Sequence, residues 1–378
     1  MLKFSHPIFR SLAFTGLFLG FSTTSSAQHS EFDISIVGQY DVPWALEFLP
    51  DHRLLLSEMK GALKLLDEEG QLLGDISGVP DVAYGGQGGF GDIVLHPDFE
   101  TNQMLYMSYA EAGPGNTAGA AVARAKLELS GSGGELTDLE VIWRQVPKVT
   151  GAGHFGHRIV FGPKGYLWIS SGERQKFDPA QDMESNLGKI VRLSEDGSLL
   201  GDNPFPYGGA VTSEIWSLGH RNPLGMAFDE SGRLWDVEMG PSGGDELNLV
   251  RRGSNYGYPY VSNGDHYSGE DIPDHFTRHE FSPPEITWSP VISPSSMIFY
   301  SGDQFPEWRG DAFIGGLSSM ALIRVEFDGD SAREAERFEM DRRIREVQQG
   351  PDGAIWLLEG GRDSRGGLGY LLKLTAPK

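Results

Sequence analysis

A short phrase recurs six times along this chain, and it limits the fold more than any other feature. A turn rich in Pro, Asp and Gly leads into a short apolar strand that ends in small or acidic residues. It reads first as Leu49-Pro50-Asp51-His52-Arg53-Leu54-Leu55-Leu56-Ser57-Glu58, and next from His96-Pro97-Asp98 into Leu105-Tyr106-Met107-Ser108-Tyr109. The clearest copy is Gly162-Pro163-Lys164-Gly165-Tyr166-Leu167-Trp168-Ile169-Ser170. Ser231-Gly232-Arg233-Leu234-Trp235, Gly350-Pro351-Asp352-Gly353-Ala354-Ile355-Trp356 and a weaker copy from Trp308 to Gly315 complete the set. Roughly 58 residues per copy suit a four-stranded blade with its loops. One blade cannot bury both of its faces, so the copies must close into a ring. The expected fold is all-β: a six-bladed β-propeller of four-stranded antiparallel blades, forming one domain over residues 28–378. The charged stretch from Ala332 to Phe338 reads as a short helix or a solvated hairpin, with the hairpin preferred.

The 51 glycines and 22 prolines, spread among many aromatic residues, fit tight turns between short strands. A formal charge of -22 argues against nucleic acid and anionic membranes as partners, since phosphate binding needs basic surface. An acidic surface is compatible with calcium and with neutral substrates such as sugars, and it also keeps an exported protein dissolved. No apolar run is long enough to span a bilayer. Residues 1–27 read as a signal peptide: Lys3 and Arg10 supply the positive start, Ser11 to Phe21 the apolar stretch, and Ser25-Ser26-Ala27 the cleavage site. The address is then secreted, and periplasmic in a Gram-negative cell. With no cysteine there is no disulfide and no thiolate chemistry, so stability must come from packing, to which a bound metal can add.

Loops around one mouth of a propeller bring distant residues together, so a site should be scattered along the chain. Five segments stand out. Gln87 is a lone amide within Gly85-Gly86-Gln87-Gly88-Gly89-Phe90-Gly91-Asp92, where glycines allow close backbone approach to a ligand, although the same pattern serves a hairpin turn. His154, in Gly151-Ala152-Gly153-His154-Phe155-Gly156-His157-Arg158, is a candidate general base because imidazole titrates near neutral pH. His157 and Arg158 are the alternative functional pair. Glu173, delivered by the next strand, is placed to orient and support a base. In Ile215-Trp216-Ser217-Leu218-Gly219-His220-Arg221-Asn222-Pro223, the Arg221 fork beside the Asn222 amide suits a carbonyl or carboxylate-rich ligand. The segment from Glu238 to Asn248, with Gly240, Pro241, Asp245 and Glu246, offers carboxylates and bare carbonyls, the hard oxygens that calcium takes, but without the alternation of an EF-hand. Arg343 and Arg345 share one side if their segment is a strand, making an anion clamp.

Taken in order, these segments resemble the soluble PQQ-dependent aldose sugar dehydrogenases (PQQ is pyrroloquinoline quinone). The resemblance runs from about Val42 to Leu374. It is carried by Gly-Gln-Gly-Gly around Gln87, His154-Phe155-Gly156-x-Arg158, Ile215-Trp216-Ser217-x-Gly219-x-Arg221-Asn222-Pro223, Gly240-Pro241-x-Gly243-Gly244-Asp245-Glu246, Asn255-Tyr256-Gly257, and Arg343-Ile344-Arg345. It implies His154 as the catalytic base and Glu173 as its supporting acid. It places Gln87 near cofactor and substrate, Arg221 and Asn222 against the quinone, and Arg343 and Arg345 on the cofactor's carboxylates. It implies two calcium ions, a catalytic one held by the carbonyls of Gly240 and Pro241 and a structural one by Glu246 and Tyr256. The chain departs from the family at Ser318, where a Lys is common, at Met239 and Ser242 around the Gly-Pro pair, and at His157, where Gly is usual.

The implied activity is oxidation of aldose sugars at the anomeric carbon to lactones, with hydride transfer to the quinone and electrons passed on to an unidentified acceptor. With an unperturbed His154, the pH profile should rise near or somewhat above pH 6. A calcium-dependent lactonase and a non-catalytic carbohydrate-binding propeller are the rival readings, since fold alone excludes neither. The preferred sugar, the acceptor and the choice between monomer and dimer are not legible here.

Overall fold

Each copy of the recurring phrase becomes the same piece of structure. In the computed structural model, which describes Met1 and residues 31–361 and 367–377, the phrase forms a hairpin turn and the second strand of a four-stranded sheet. Those second strands are Leu54–Glu58, Met104–Ala112, Leu167–Ser171, Leu234–Glu238, Ala312–Gly316 and Ile355–Glu359. The turn requires one residue in the left-handed region, which glycine enters without a Cβ clash. Gly165, Gly232 and Gly353 have φ of +73°, +76° and +80°, while in the first blade His52 carries the same twist at +71°. In five of the six second strands every residue is buried, as expected for short apolar runs without alternation.

The innermost strands are Pro43–Phe48, Phe90–Leu95, Gly156–Phe161, Pro223–Phe228, Pro294–Phe299 and Ile344–Gln349, one for each of blades 1 to 6. Each lies against the next, and the last against the first, so the ring is closed. Asp33–Asp41 pairs antiparallel with Leu368–Thr375, so a strand from the start of the chain completes blade 6 and ties its two ends. The six antiparallel four-stranded blades expected from the repeats are therefore present. One feature was not foreseen: blades 1 and 2 share an edge through a short parallel pairing of Ile76 with Gly134 and Ser77 with Glu135. The charged stretch lies in Ser331–Glu339, which forms a hairpin with Ala321–Asp328. The expected signal peptide falls outside the described residues.

All six innermost strands lose register with their neighbour at the same end. The skipped residues are Trp44; Gly91 and Asp92; His157 and Arg158; Leu224; Ser295 and Ser296; and Arg345. A bulge re-aims side chains that regular pleating would send elsewhere. Here the bulges bring one residue or two from every blade to the axis. Arg158 ties this layer together. Its guanidinium donates to Asp92 (2.9 Å), to both oxygens of Glu346 (3.2 and 2.8 Å) and to the carbonyl of Leu224 (2.9 Å), and it lies 4.7 Å from the centre of the Trp44 ring. One buried side chain thus touches blades 1, 2, 4 and 6 from blade 3. That assigns Arg158 to the scaffold and separates it from the alternative pairing with His157.

Candidate functional site

His154 sits just before the innermost strand of blade 3, in a loop held on two sides. Its backbone N–H donates to Gln87 Oε1 (2.7 Å), and Gln87 in turn donates its own N–H to the carbonyl of Ala152 (2.7 Å). The glycines around Gln87 permit this close approach, for a side chain on Gly86 would strike the Ala152 carbonyl. His154 Nδ1 lies 2.5 Å from Glu173 Oε1. Glu173 is fully buried, and its other oxygen accepts the backbone N–H groups of Lys176 and Phe177. Burial pushes the Glu173 carboxyl up, but the hydrogen bond and charge of His154 and the Phe177 N–H outweigh it and hold the group below its usual value. It is therefore an anion that can only accept, so Nδ1 carries the proton and Nε2 presents a lone pair. Burial lowers the His154 pKa below 6.5; the Glu173 hydrogen bond opposes that shift and the nearby Arg221 charge adds to it. The titration expected near or above pH 6 from an unperturbed imidazole thus moves down, because the ring is 5% exposed.

Over the bulge layer lies a cavity of about 130 Å³. Trp44, His157, Leu224 and Arg345 line it from the bulges, with Gln87 and Arg343 alongside. Arg345 has no hydrogen-bond or ion-pair partner among the described residues, and Arg343 has only a long contact to the Leu317 carbonyl (3.4 Å). Burial depresses both guanidinium pKa values, that of Arg345 to about 10, with the charges of Arg343 and Arg158 adding to the effect. The strand starts at Ile344 and Arg345 occupies its bulge, so the pair reaches one cavity through the register break and not through simple alternation. Ser318 is exposed beside this wall, its hydroxyl 3.3 Å from the Val291 carbonyl.

Arg221 and Asn222 open blade 4. The carbonyl of Arg221 accepts the Glu173 N–H (2.9 Å), and Asn222 Oδ1 accepts the Gly156 N–H (3.2 Å), so blades 3 and 4 are stitched at the site. Glu238 holds both residues by accepting their backbone N–H groups (2.5 and 3.2 Å). Gly240, Pro241, Glu246 and Tyr256 border a single small cavity with Arg221 and Glu238. A side chain on Gly240 would run into the carbonyls of Gly243 and Gly244, and Asp245 fixes its N–H (2.8 Å). The Tyr256 hydroxyl is committed, donating to the Leu249 carbonyl (2.5 Å) and accepting the Arg251 N–H (2.9 Å), so only its carbonyl can serve a metal. On the two buried strands that reach this cavity, Asp236 and Glu238 face Asn248 and Glu246. Burial, together with neighbouring carboxylates, drives Asp236 and Glu246 well above the usual carboxylate range. Asp236 was not singled out from sequence. The signal was there, as acids at alternate positions of the otherwise apolar strand Leu234-Trp235-Asp236-Val237-Glu238.

Buried polar groups in folded proteins almost always find partners. Among the described residues thirteen buried side-chain atoms do not, and nine of them belong to these two neighbourhoods. Five are on His157, Arg221, Asn222 and Arg343; four are on Asp236, Asn248 and His275. The first set is cationic or neutral and has donors to spare, as a polyanionic ligand requires. The second set is carboxylate and amide oxygen with one imidazole, as a divalent cation requires.

Guanidinium groups without an anion beside carboxylates without a cation, among the described residues of one closed ring, suit a propeller that binds an anionic ligand and a divalent cation. The sequence agrees along nearly its whole length: residues 40–372 match the Glucose / Sorbosone dehydrogenase model, and the chain belongs to that family. It is 42% identical over 326 residues to the aldose sugar dehydrogenase YliI of Escherichia coli (strain K12), covering 84% of this chain and 87% of that protein. The apo-form crystal structure of the aldose sugar dehydrogenase from Escherichia coli superposes with a TM-score of 0.86 at 39% identity, over 92% of this chain and all of that one. The PQQ-bound aldose sugar dehydrogenase from Streptomyces coelicolor gives 0.74 at 28% identity, over 92% and 98% of the two chains.

Proposed function

We propose that this chain is a PQQ- and calcium-dependent aldose sugar dehydrogenase that oxidises its substrate at the anomeric carbon to a lactone. The observation that supports it best is the pair Arg343 and Arg345, two guanidinium groups in one cavity without a carboxylate partner among the described residues. A hydrolase acting on neutral lactones has no use for that arrangement, whereas a tricarboxylate cofactor neutralises it. When bound, PQQ supplies the hydride acceptor and calcium the Lewis acid. Arg343 and Arg345 would hold the cofactor's carboxylates, and Asn222 would offer it the unpartnered Nδ2. Gly240 and Pro241 would hold the catalytic calcium through their carbonyls. Glu246 and the Tyr256 carbonyl would hold the structural one, with the Asp236 oxygens close behind.

The chain's own part in the reaction is proton handling and charge placement. His154 Nε2 takes the proton of the anomeric hydroxyl, and Glu173 stabilises the imidazolium that results. Gln87, tied to the His154 loop, keeps its amide nitrogen for substrate or cofactor. Arg221 places positive charge where negative charge develops. Residues 1–27 would direct export. The test is reconstitution: purified apo-protein, with and without PQQ and calcium, assayed for dye reduction by aldoses. Dye reduction that needs both additions is the expected result. Lactone hydrolysis without PQQ would transfer the chain to the lactonase reading.

A further inference from the structure

His157 is a costly residue that the fold does not explain. It stands on the blade 3 bulge with φ of +80°, a left-handed conformation uncommon for a residue with a side chain. Its ring is 3% exposed and neither nitrogen has a partner among the described residues. Each such buried, unsatisfied group lowers stability, because it has given up its water for nothing. The surroundings nonetheless make room for the ring and fix its plane. Phe155 stacks on it at 5.3 Å and 12°, and Trp44 meets it edge-on at 6.1 Å. Gly91 leaves the space, for a Cβ there would lie 2.9 Å from His157 Cγ. The ring lines the same cavity as Gln87, Arg343 and Arg345. Burial and the charges of Arg174 and Arg158 lower its pKa to about 3, so the free protein holds it neutral, with one donor and one acceptor nitrogen.

We propose that His157 is a cofactor-binding residue of this chain, hydrogen-bonding through a ring nitrogen to the anionic PQQ that Arg343 and Arg345 hold. This rests on the PQQ reading above and adds a contact at a position where the family resemblance gives no side chain. It also explains why an unpaired imidazole is kept in a strained backbone: the partner arrives with the ligand.

The test is titration of calcium-loaded apo-protein with PQQ, followed by the absorbance of the bound quinone and by calorimetry. The proteins compared are wild type, His157→Phe, His157→Asn and His157→Gln. Phe keeps a ring between Phe155 and Trp44 but has no nitrogen; Asn and Gln return a polar group near the Nδ1 and Nε2 positions. His157→Phe should raise the Kd about ten- to a hundred-fold, the range of a hydrogen bond to a charged group. One of the two amides should recover most of that loss and so identify the nitrogen that bonds. If the phenyl variant does not fold, His157→Leu replaces it. An unchanged Kd in the apolar variant overturns the proposal, as does an equal loss in all three variants, which would assign the effect to ring shape. Failure of the wild type to bind PQQ at all would instead remove the reading on which it rests.

Discussion

Replacing Glu173 with Gln changes one atom and should nearly silence the enzyme. In the wild type, one Glu173 oxygen accepts from His154 Nδ1 and the other is taken by the N–H groups of Lys176 and Phe177. A glutamine must keep its oxygen toward those two backbone donors, because its NH2 would face them donor to donor. Its nitrogen therefore points at His154 Nδ1 and makes that atom an acceptor. The proton moves to Nε2, where the substrate hydroxyl needs a base. The nearest general precedent for a wrong tautomer costs about 10⁴-fold in turnover, and loss of a general base costs roughly 10²–10⁴-fold. The expected loss for Glu173→Gln is therefore about 10³-fold or more in kcat, as large as for His154→Ala, with the substrate KM little changed. The assay is steady-state dye reduction at saturating PQQ and calcium, with cofactor occupancy checked by absorbance. In the wild type the activity should rise as His154 loses its proton, with an acid limb below pH 6.5, because burial lowers that pKa. A Glu173→Gln enzyme that is loaded with cofactor and keeps more than a tenth of wild-type turnover would refute the tautomer argument.

Three further outcomes follow from the same geometry. Arg158→Leu leaves Asp92 and Glu346 buried without their cation, a loss of about 3–5 kcal/mol; at about 2.1 cal/mol/K per residue, a body of roughly 350 residues should lose about 4–7 °C in melting temperature. Adding Asp92→Asn and Glu346→Gln should return most of it, and a triple variant as unstable as the single one would assign the loss to packing. Arg343→Ala and Arg345→Ala should each weaken PQQ binding by about ten- to a hundred-fold, with turnover at saturating cofactor much less affected; unaltered titrations in both would remove the clamp, and Ser318→Lys should tighten binding if a cation is missing at that wall. Stripping calcium should lower the melting temperature. Asp236 and Glu246 bind protons more tightly in the folded than in the unfolded chain, so without calcium stability should fall as pH rises from the ordinary carboxylate value toward their raised ones, and more steeply than with calcium present. Melts across pH with and without calcium that run parallel would count against a cation at the carboxylate cluster.

The fold was legible because its rule is local. A hairpin turn that needs a left-handed residue, followed by a strand buried on both faces, writes Gly and then an apolar run into every blade, as at Gly165 and Leu167–Ser171. The shared edge of blades 1 and 2 leaves no such mark, because Ile76–Ser77 and Gly134–Glu135 carry no pattern that names a partner 58 residues away. Candidate site residues on loops were legible as types of group in glycine-rich settings, and the structure sets Gln87, Arg343 and Arg345 on one cavity and Arg221, Gly240, Pro241, Glu246 and Tyr256 on another. What sequence could not supply was direction. Tyr256 shows this: the sequence names the residue but not the atom, and the chain folds back so that Leu249 and Arg251 consume its hydroxyl and leave the carbonyl.

The segment from His154 to Arg158 shows most plainly why direction was missing. Two histidines and an arginine lie within five residues, and period-two reasoning would send His154, Gly156 and Arg158 to one side and His157 to the other. The bulge cancels that rule. His154, with φ of +51°, turns out of the strand toward Glu173; His157, at +80°, turns into the cavity; Arg158 turns along the axis to Asp92 and Glu346. Composition allows each of the three to be the chemical group. The partners decide: Arg158 has a partner on all three guanidinium nitrogens and belongs to the scaffold, His154 is satisfied on one nitrogen and open on the other, as a base must be, and His157 is satisfied on neither among the described residues. A side chain with no partner in a buried cavity is either an error of the fold or half of a contact. The care with which Gly91, Phe155 and Trp44 seat this ring argues for the contact.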